Sequence, residues 1–379
     1  MRMVIFSLLA AFIILLTLSG LSLRSDYTGS FPIDSLRYIY SKPNSQWPKP
    51  TVDKGINFEE LAVLPPSPIN LSDDSVKKIV ELGKILFFDP RLSGAGKISC
   101  SSCHLPELNW TDGLKVSVGH DEAENTRNSP SIENVWFSKK LFWDGRANSL
   151  EDQAQIPLTS QIEMHQDMKV LAKKLNKIKG YRTLFADAYG VDKISNELIF
   201  NSLAVFQRTV TSAKTPFDLF LEGDKNALSD QQLEGLHLFR TKARCMNCHY
   251  GALFTDNDFH NLGLANYGKS NQDLGFYHAT KNPKDSGKFK TPGLRNVMRT
   301  GPWFHDGSVK TIDSLMTLYN MGMMAPSFTM AQMEDPLFPQ NDRLLRGIML
   351  SRKEINAVIS FLNAISTDPI VIKTPTLPK

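Results

Sequence analysis

Cysteine is scarce in this chain. There are four in 379 residues, and spacing pairs all four into two short motifs, leaving none for a disulfide framework. Charge of one sign is also lacking. A formal net charge of +4 at this length gives no clustered basic face, so a nucleic-acid partner is not expected. Low-complexity tracts and long charge blocks are absent. With 41% hydrophobic and 22% charged residues the composition is that of a globular protein. Sustained period-two alternation is scarce, which argues against a mainly β fold. What remains is long enough for two domains of ordinary size, each with its own core.

Only one long apolar run is present, Val4 to Leu21, broken by Ser7, Thr17, Ser19 and Gly20 and preceded by the basic start Met1-Arg2-Met3. It reads as a secretory signal or an uncleaved anchor over residues 1–24, at the border of spanning length. No cysteine follows it, which excludes a lipid-anchored lipoprotein. The expected location is the periplasm, either soluble or with an N-terminal membrane tether.

The two motifs are Cys100-Ser101-Ser102-Cys103-His104 and Cys245-Met246-Asn247-Cys248-His249. C-x-x-C-H is the attachment signature of a c-type haem: two thiols form thioethers with the vinyl groups, and the histidine binds iron axially. A lone copy could equally be a zinc half-site or a redox pair. Two complete copies that use every cysteine predict a dihaem cytochrome, with two covalently bound haem c. In bacteria such attachment takes place outside the cytoplasmic membrane, which agrees with export.

Residues 25–71 are rich in proline, with Pro43, Pro48, Pro50, Pro65, Pro66 and Pro68, and read as an extended N-terminal arm lying on the surface without a core of its own. From Ser72 the spacing of Val76, Ile79, Leu82, Ile85 and Leu86 predicts a helix that runs into the first motif. Leu228-Ser229-Asp230 caps a similar helix before the second motif. Gly83-Lys84-Ile85-Leu86-Phe87 and Gly235-Leu236-His237-Leu238-Phe239 share a G-x-x-L-F pattern, which suggests two related units. Helical patterns also fit 167–189, 194–209, 311–319 and 353–365. The fold class is therefore mainly α: two cytochrome c-like haem domains with long loops, 72–213 and 214–379, preceded by the arm.

With Phe142-Trp143-Asp144-Gly145-Arg146-Ala147, the spacing of Gln153, Pro157 and Glu163, Leu294-Arg295-Asn296-Val297 and Phe304-His305-Asp306-Gly307 added to the two C-x-x-C-H motifs, the sequence resembles the bacterial dihaem cytochrome c peroxidases and their MauG relatives over roughly residues 76–365. By itself Glu163 reads as a solvated acid, and Trp143 as a large core residue. The resemblance implies more. His104 becomes the proximal ligand of a peroxide-cleaving N-terminal haem, with Gln153 and Glu163 on its distal side. Breaking an O–O bond requires carrying a proton between the two oxygens, which a distal carboxylate can do. Trp143 would stand between the haems, and Arg146 would be structural or meet a haem propionate.

The same resemblance gives His120, in Ser117-Val118-Gly119-His120, as a distal ligand of the first iron in the resting state, leaving when the second haem is reduced. It implies reductive activation. His249 would be proximal at the second haem, with Tyr319 distal as in MauG-type members, and Met323 the second choice among Met316, Met321, Met323 and Met324. Tyrosinate stabilises ferric iron, whereas the methionine of the peroxidases raises the potential. Calcium is implied between the domains, held by Asn128 and the carbonyls of Thr300 and Pro302. The implied substrate is hydrogen peroxide, and the implied electron donor a small cytochrome c or cupredoxin. Homodimers occur in the family. The alternative function is a MauG-like oxidation of aromatic residues in a partner protein.

Overall fold

A computed structural model describes residues 32–323 and 328–379. The leader over 1–24, the first residues of the arm and Met324 lie outside the described residues. The chain is mainly helical; among the described residues the only sheet is a two-stranded one, Phe259–His260 antiparallel to Phe289–Lys290. No helix among them is long and apolar enough to cross a membrane.

The helix expected from Ser72 spans Asp74–Phe88, with the Asp73 carboxylate accepting from the Ser75 amide at its N-terminus. It buries Val80, Leu82, Gly83, Leu86 and Phe87, one face at helical spacing. That face lies on the helix Asn196–Gln207. Gly83 permits the contact: a Cβ there would fall 2.0 Å from the Ser202 carbonyl oxygen. The second half repeats the device. Helix Asp230–Arg240 meets helix Arg352–Ala364, and a Cβ on Gly235 would fall 2.0 Å from the Ala357 carbonyl oxygen. The pattern expected as one helix over 167–189 is two, Met168–Asn176 and Lys179–Tyr189, with the break at Lys177-Ile178.

Two separate hydrophobic clusters follow from this pairing. One gathers Leu82, Leu86, Phe87, Trp110, Tyr181, Phe185 and Phe206; the other gathers Phe217, Leu233, Leu236, Phe239, Phe254, Val358 and Phe361. The proline-rich segment has no core of its own, but it is more than a surface wrap. It forms a helix, Ile33–Tyr40, and inserts Leu36, Tyr40, Trp47 and Leu61 into the second cluster. Proline spacing hides these four residues because they recur at no fixed period. The C-terminal segment returns the other way: the Lys379 carbonyl accepts from the Gly180 amide, and the Pro378 carbonyl from Arg91.

The duplication extends beyond the paired helices. Ser129-Pro130-Ser131-Ile132-Glu133-Asn134-Val135 and Thr291-Pro292-Gly293-Leu294-Arg295-Asn296-Val297 match position by position, and both asparagines take left-handed backbone, φ 56° and 60°. In the same register Phe142 and Phe304 have φ 67° and 68°, and the bridge Leu141–Ala147 recurs as Trp303–Val309. Across the midline the two copies exchange equivalent hydrogen bonds. Asn128 N donates to His305 O at 2.7 Å, and Lys290 N donates to Trp143 O at 2.8 Å. This crossed pair fixes the wall between the two halves.

Candidate active site

Each C-x-x-C-H begins as a helical turn, with the histidine amide donating to the carbonyl of the first cysteine, His104 to Cys100 at 3.1 Å and His249 to Cys245 at 2.8 Å. The imidazoles are held alike. His104 Nδ1 donates to the Trp110 carbonyl at 3.0 Å, and His249 Nδ1 to the Phe254 carbonyl at 2.8 Å. A ring whose Nδ1 carries the proton presents an unprotonated Nε2, the form that binds a metal. Burial holds both imidazoles below their ordinary pKa, which keeps that form neutral.

The thiols argue against a redox pair. Burial, together with the neighbouring thiol, pushes Cys100 and Cys245 up to about 12, and burial pushes Cys103 up to about 11. A reactive redox pair depends on a lowered value. None of the four is in a disulfide. Each pair instead borders a cavity, of about 400 Å³ at Cys100, Cys103 and His104 and about 350 Å³ at Cys245, Cys248 and His249. Both volumes lie in the range of cofactor sites. Thiols, a metal-ready imidazole and an adjoining cavity, all present twice, fit two haem groups.

The wall facing each motif comes from the same helix in two copies. Leu150–Thr159 starts at Ser149, whose hydroxyl accepts from the Asp152 amide; Ile312–Asn320 starts at Thr311, which accepts from Ser314. In the first copy Gln153, Ala154 and Pro157 border the cavity, and in the second Leu315, Met316 and Tyr319 do. These are equivalent positions on one helix face. The first copy thus offers an amide and a proline ring, the second an apolar side chain and a phenol.

Glu163 reaches the first cavity on a turn folded back onto its helix, where the Met164 and Gln166 amides donate to the carbonyls of Pro157 and Leu158. Asn125 Nδ2 donates to Glu163 Oε1 at 2.5 Å, and the His120 amide to the Glu163 carbonyl at 2.9 Å. Gly119 lets that loop approach, since a Cβ would fall 2.1 Å from the Ile162 carbonyl oxygen. Sequence reasoning missed Asn125 as a partner. It lies 38 positions from Glu163, and no local pattern couples them.

His120 is not brought to the cavity. Its ring stands edge-on to His165 at 4.5 Å between centroids, and its Nε2 lies 3.3 Å from the exposed Asp121 carboxylate. Trp143 borders both cavities, and its indole N–H donates to the Asn128 carbonyl at 2.9 Å. Arg146 borders the first cavity, paired with Asp144 and stacked on Phe142 at 3.7 Å.

In the second cavity, the Tyr319 hydroxyl has no hydrogen-bonding partner among the described residues, and burial together with the nearby sulfurs of Cys248 and Cys245 raises its pKa strongly. Met323 is not on the wall. It is buried against Phe304, Val309 and Leu315, because Gly322 ends the helix and turns the chain away. Met321 is exposed, and Met316 borders the cavity one turn before Tyr319. Asn128, Thr300 and Pro302, the residues expected to hold calcium, all border this cavity, and Asn128 borders both; Asn128 spends its Nδ2 on the Leu114 carbonyl, leaving its amide oxygen as a donor. The oxygen-only donor set suits calcium but contains no carboxylate.

His260, without an assigned role in the sequence, also borders the second cavity. Burial opposes its charge, but hydrogen bonds to Asp256 at 2.8 Å and Asp342 at 2.5 Å push its pKa up to about 12. His305 lies flat on Phe289 at 3.5 Å, and burial pushes it down to about 4.

Comparison with known proteins agrees with this geometry. A family model described as di-haem cytochrome c peroxidase matches residues 77–226. A cytochrome-c peroxidase of Pseudomonas sp. (strain SCT) is 34% identical over 348 residues, 84% of this chain and 89% of the relative. The methylamine utilization protein MauG of Methylophilus methylotrophus is 34% identical over 321 residues, 82% of this chain and 89% of the relative. A crystal structure of a MauG-like protein associated with microbial copper homeostasis superposes with a TM-score of 0.70 at 30% identity, covering 82% of this chain and 95% of that one. This chain belongs to the dihaem cytochrome c peroxidase/MauG family, a family of haem enzymes.

Proposed function

We propose that this protein is a periplasmic dihaem peroxidase that reduces hydrogen peroxide to water at the N-terminal haem, within 72–213. Electrons from a small cytochrome c or cupredoxin enter at the C-terminal haem, within 214–379. One observation carries the division of labour: the equivalent helices present Gln153 and Pro157 to the first cavity but Leu315 and Tyr319 to the second. Pro157 has no donor atom for iron, so the first site keeps a free face. Tyr319 closes the second.

Haem supplies the redox-active iron in each cavity; the protein controls what reaches it. At the first, His104 Nε2 would hold the iron, its ring fixed by the Nδ1 hydrogen bond to the Trp110 carbonyl. Glu163, oriented by Asn125, takes a proton from the inner peroxide oxygen and delivers it to the outer one. The Gln153 side chain makes no hydrogen bond to any described residue, so its carboxamide is free to position peroxide or water. Trp143, common to both walls, shortens the distance an electron must cross. His120, on the loop that adjoins Glu163, would cap the first site at rest and leave it on reduction of the second haem, so that peroxide binding follows reductive activation. One calcium ion at Asn128, Thr300 and Pro302 would brace the wall between the haems.

Steady-state turnover of peroxide with a reduced cytochrome c donor tests this reading, and no turnover with both haems attached overturns it. A second reading, oxidation of aromatic residues in a partner protein as in MauG, is favoured by Tyr319 standing where a methionine would serve a peroxidase. Its sign is peroxide consumption that depends on a protein substrate and not on a reduced donor.

A further inference from the structure

Lys290 is a cation without an ion-pair partner among the described residues. It closes the short strand Phe289–Lys290 and borders the second cavity. Its Nζ donates one hydrogen bond, 2.9 Å to the Ser138 hydroxyl, and forms no ion pair with any described carboxylate. Among the acids on this side of the cavity, Asp256 and Asp342 are both spent on His260. Burial pushes the Lys290 pKa down to about 8, and the charge of Asp256, already paired with His260, offsets this only in part. Such a group is costly unless an anion faces it.

Its position says where the anion must lie. The second cavity has walls from both halves of the chain: Cys245, Cys248 and His249 from one, Ser138, Phe142 and Trp143 from the other. Lys290 is tied twice to the latter wall, by its amide to the Trp143 carbonyl at 2.8 Å and by its Nζ to Ser138. A haem c held by its vinyl edge carries its two carboxylates on the edge away from the thioethers. An anionic edge needs a cation, and this cation needs an anion. Among the other cations on the lining, Arg295 pairs with Asp218 and Arg244 and Arg346 with Asp53, while Lys140 gives its Nζ to the Asn148 amide oxygen at an exposed position.

We propose that Lys290 is the counter-ion of a propionate of the C-terminal haem and holds that haem's carboxylate edge against the wall that carries Trp143. The inference rests on the dihaem reading above and adds to it a residue that positions the cofactor and tunes it. A cation beside the propionate offsets part of the negative charge around the iron, which favours the reduced state. Ser138, sharing Nζ, orients the ammonium.

The test uses the full holoprotein. Mass spectrometry first counts covalent haem, then a spectroelectrochemical titration resolves each haem. For Lys290→Gln, both haems are expected to remain attached, and the ferric/ferrous equilibrium of the C-terminal haem to shift about tenfold toward ferric, about 59 mV for one electron. The N-terminal haem moves less. Lys290→Arg should restore most of the shift, and Lys353→Gln, which removes an exposed charge, should move neither haem. An unmoved midpoint in Lys290→Gln with two haems present overturns the role of Lys290 and leaves the dihaem reading intact. Fewer than two haems in the unsubstituted protein overturns both. If Lys290→Gln fails to mature, a crystal structure of the unsubstituted holoprotein decides. Nζ within about 4 Å of a propionate oxygen, the ion-pair limit, is expected, and a greater separation rejects the pairing.

Discussion

Tyr319 and Pro157 occupy the same place in two copies of one helix, each eight positions after its capping residue, Thr311 and Ser149. Both border a cavity beside a C-x-x-C-H motif. A phenol can bind iron and a proline ring cannot, so a single exchange within a duplicated frame makes the two sites unequal. Tyr319→Phe should therefore open the C-terminal haem to cyanide or carbon monoxide while leaving two haems attached. Met323→Ala should leave that haem's optical spectrum unchanged. A thioether-to-iron charge-transfer band in the unsubstituted protein would instead assign a methionine and remove Tyr319 from the site.

Glu163→Gln removes the proton carrier and keeps the shape. Turnover of peroxide is expected to fall roughly a hundred- to ten-thousand-fold, the usual contribution of a positioned acid–base group. Asn125→Ala, which frees the carboxylate without removing it, should cost less and broaden the pH profile. Equal losses in the two variants would mean that Glu163 acts only by holding the loop.

Trp143 joins the two walls, so Trp143→Phe should retain both haems and ligand binding at the N-terminal one. Stopped-flow transfer of an electron from the C-terminal haem to the N-terminal one should slow. An unchanged rate in that measurement assigns the indole to packing alone.

Gly83→Ala and Gly235→Ala each drive a methyl group into a facing carbonyl, at 2.0 Å in both cases. Overpacking commonly costs about 1–3 kcal/mol, and a rigid backbone on the receiving side puts these two at the upper end. Thermal unfolding should show a lowered Tm for each, with the loss of structure starting in the half that carries the substitution. Wild-type Tm in either variant would show that the helix pairs can separate at no cost.

His237 gives a pH dependence of stability. Burial, aided by the nearby charge of Arg240, pushes it from 6.5 down to about 4 in the folded protein. Between those values the unfolded chain binds a proton that the folded one does not. Stability therefore falls as pH drops from 6.5 toward 4, at up to about 1.4 kcal/mol per pH unit. Denaturant unfolding of His237→Gln should lack this component in that window; an identical acid slope would assign the sensitivity to other groups.

The sequence by itself determined the attachment chemistry, because C-x-x-C-H brings thiols and imidazole together within one turn. It also determined the mainly helical class, since the apolar residues of 74–88, 196–207 and 352–364 repeat at helical spacing. Gln153 and Glu163 became candidates only through the family resemblance, since by itself Glu163 reads as a solvated acid. Only the tertiary structure decided which groups meet across long separations. Asn125 on Glu163, Lys290 against the Trp143 wall, and the arm residues Tyr40 and Trp47 inside the second cluster belong here. So does the placing of Tyr319 on the cavity wall and of Met323, four residues on, off it, because Gly322 turns the chain between them. Spacing along a chain fixes contacts within a turn or two of helix. Beyond that, a side chain's partner is set by how separate helices pack, which depends on interactions from the whole molecule at once.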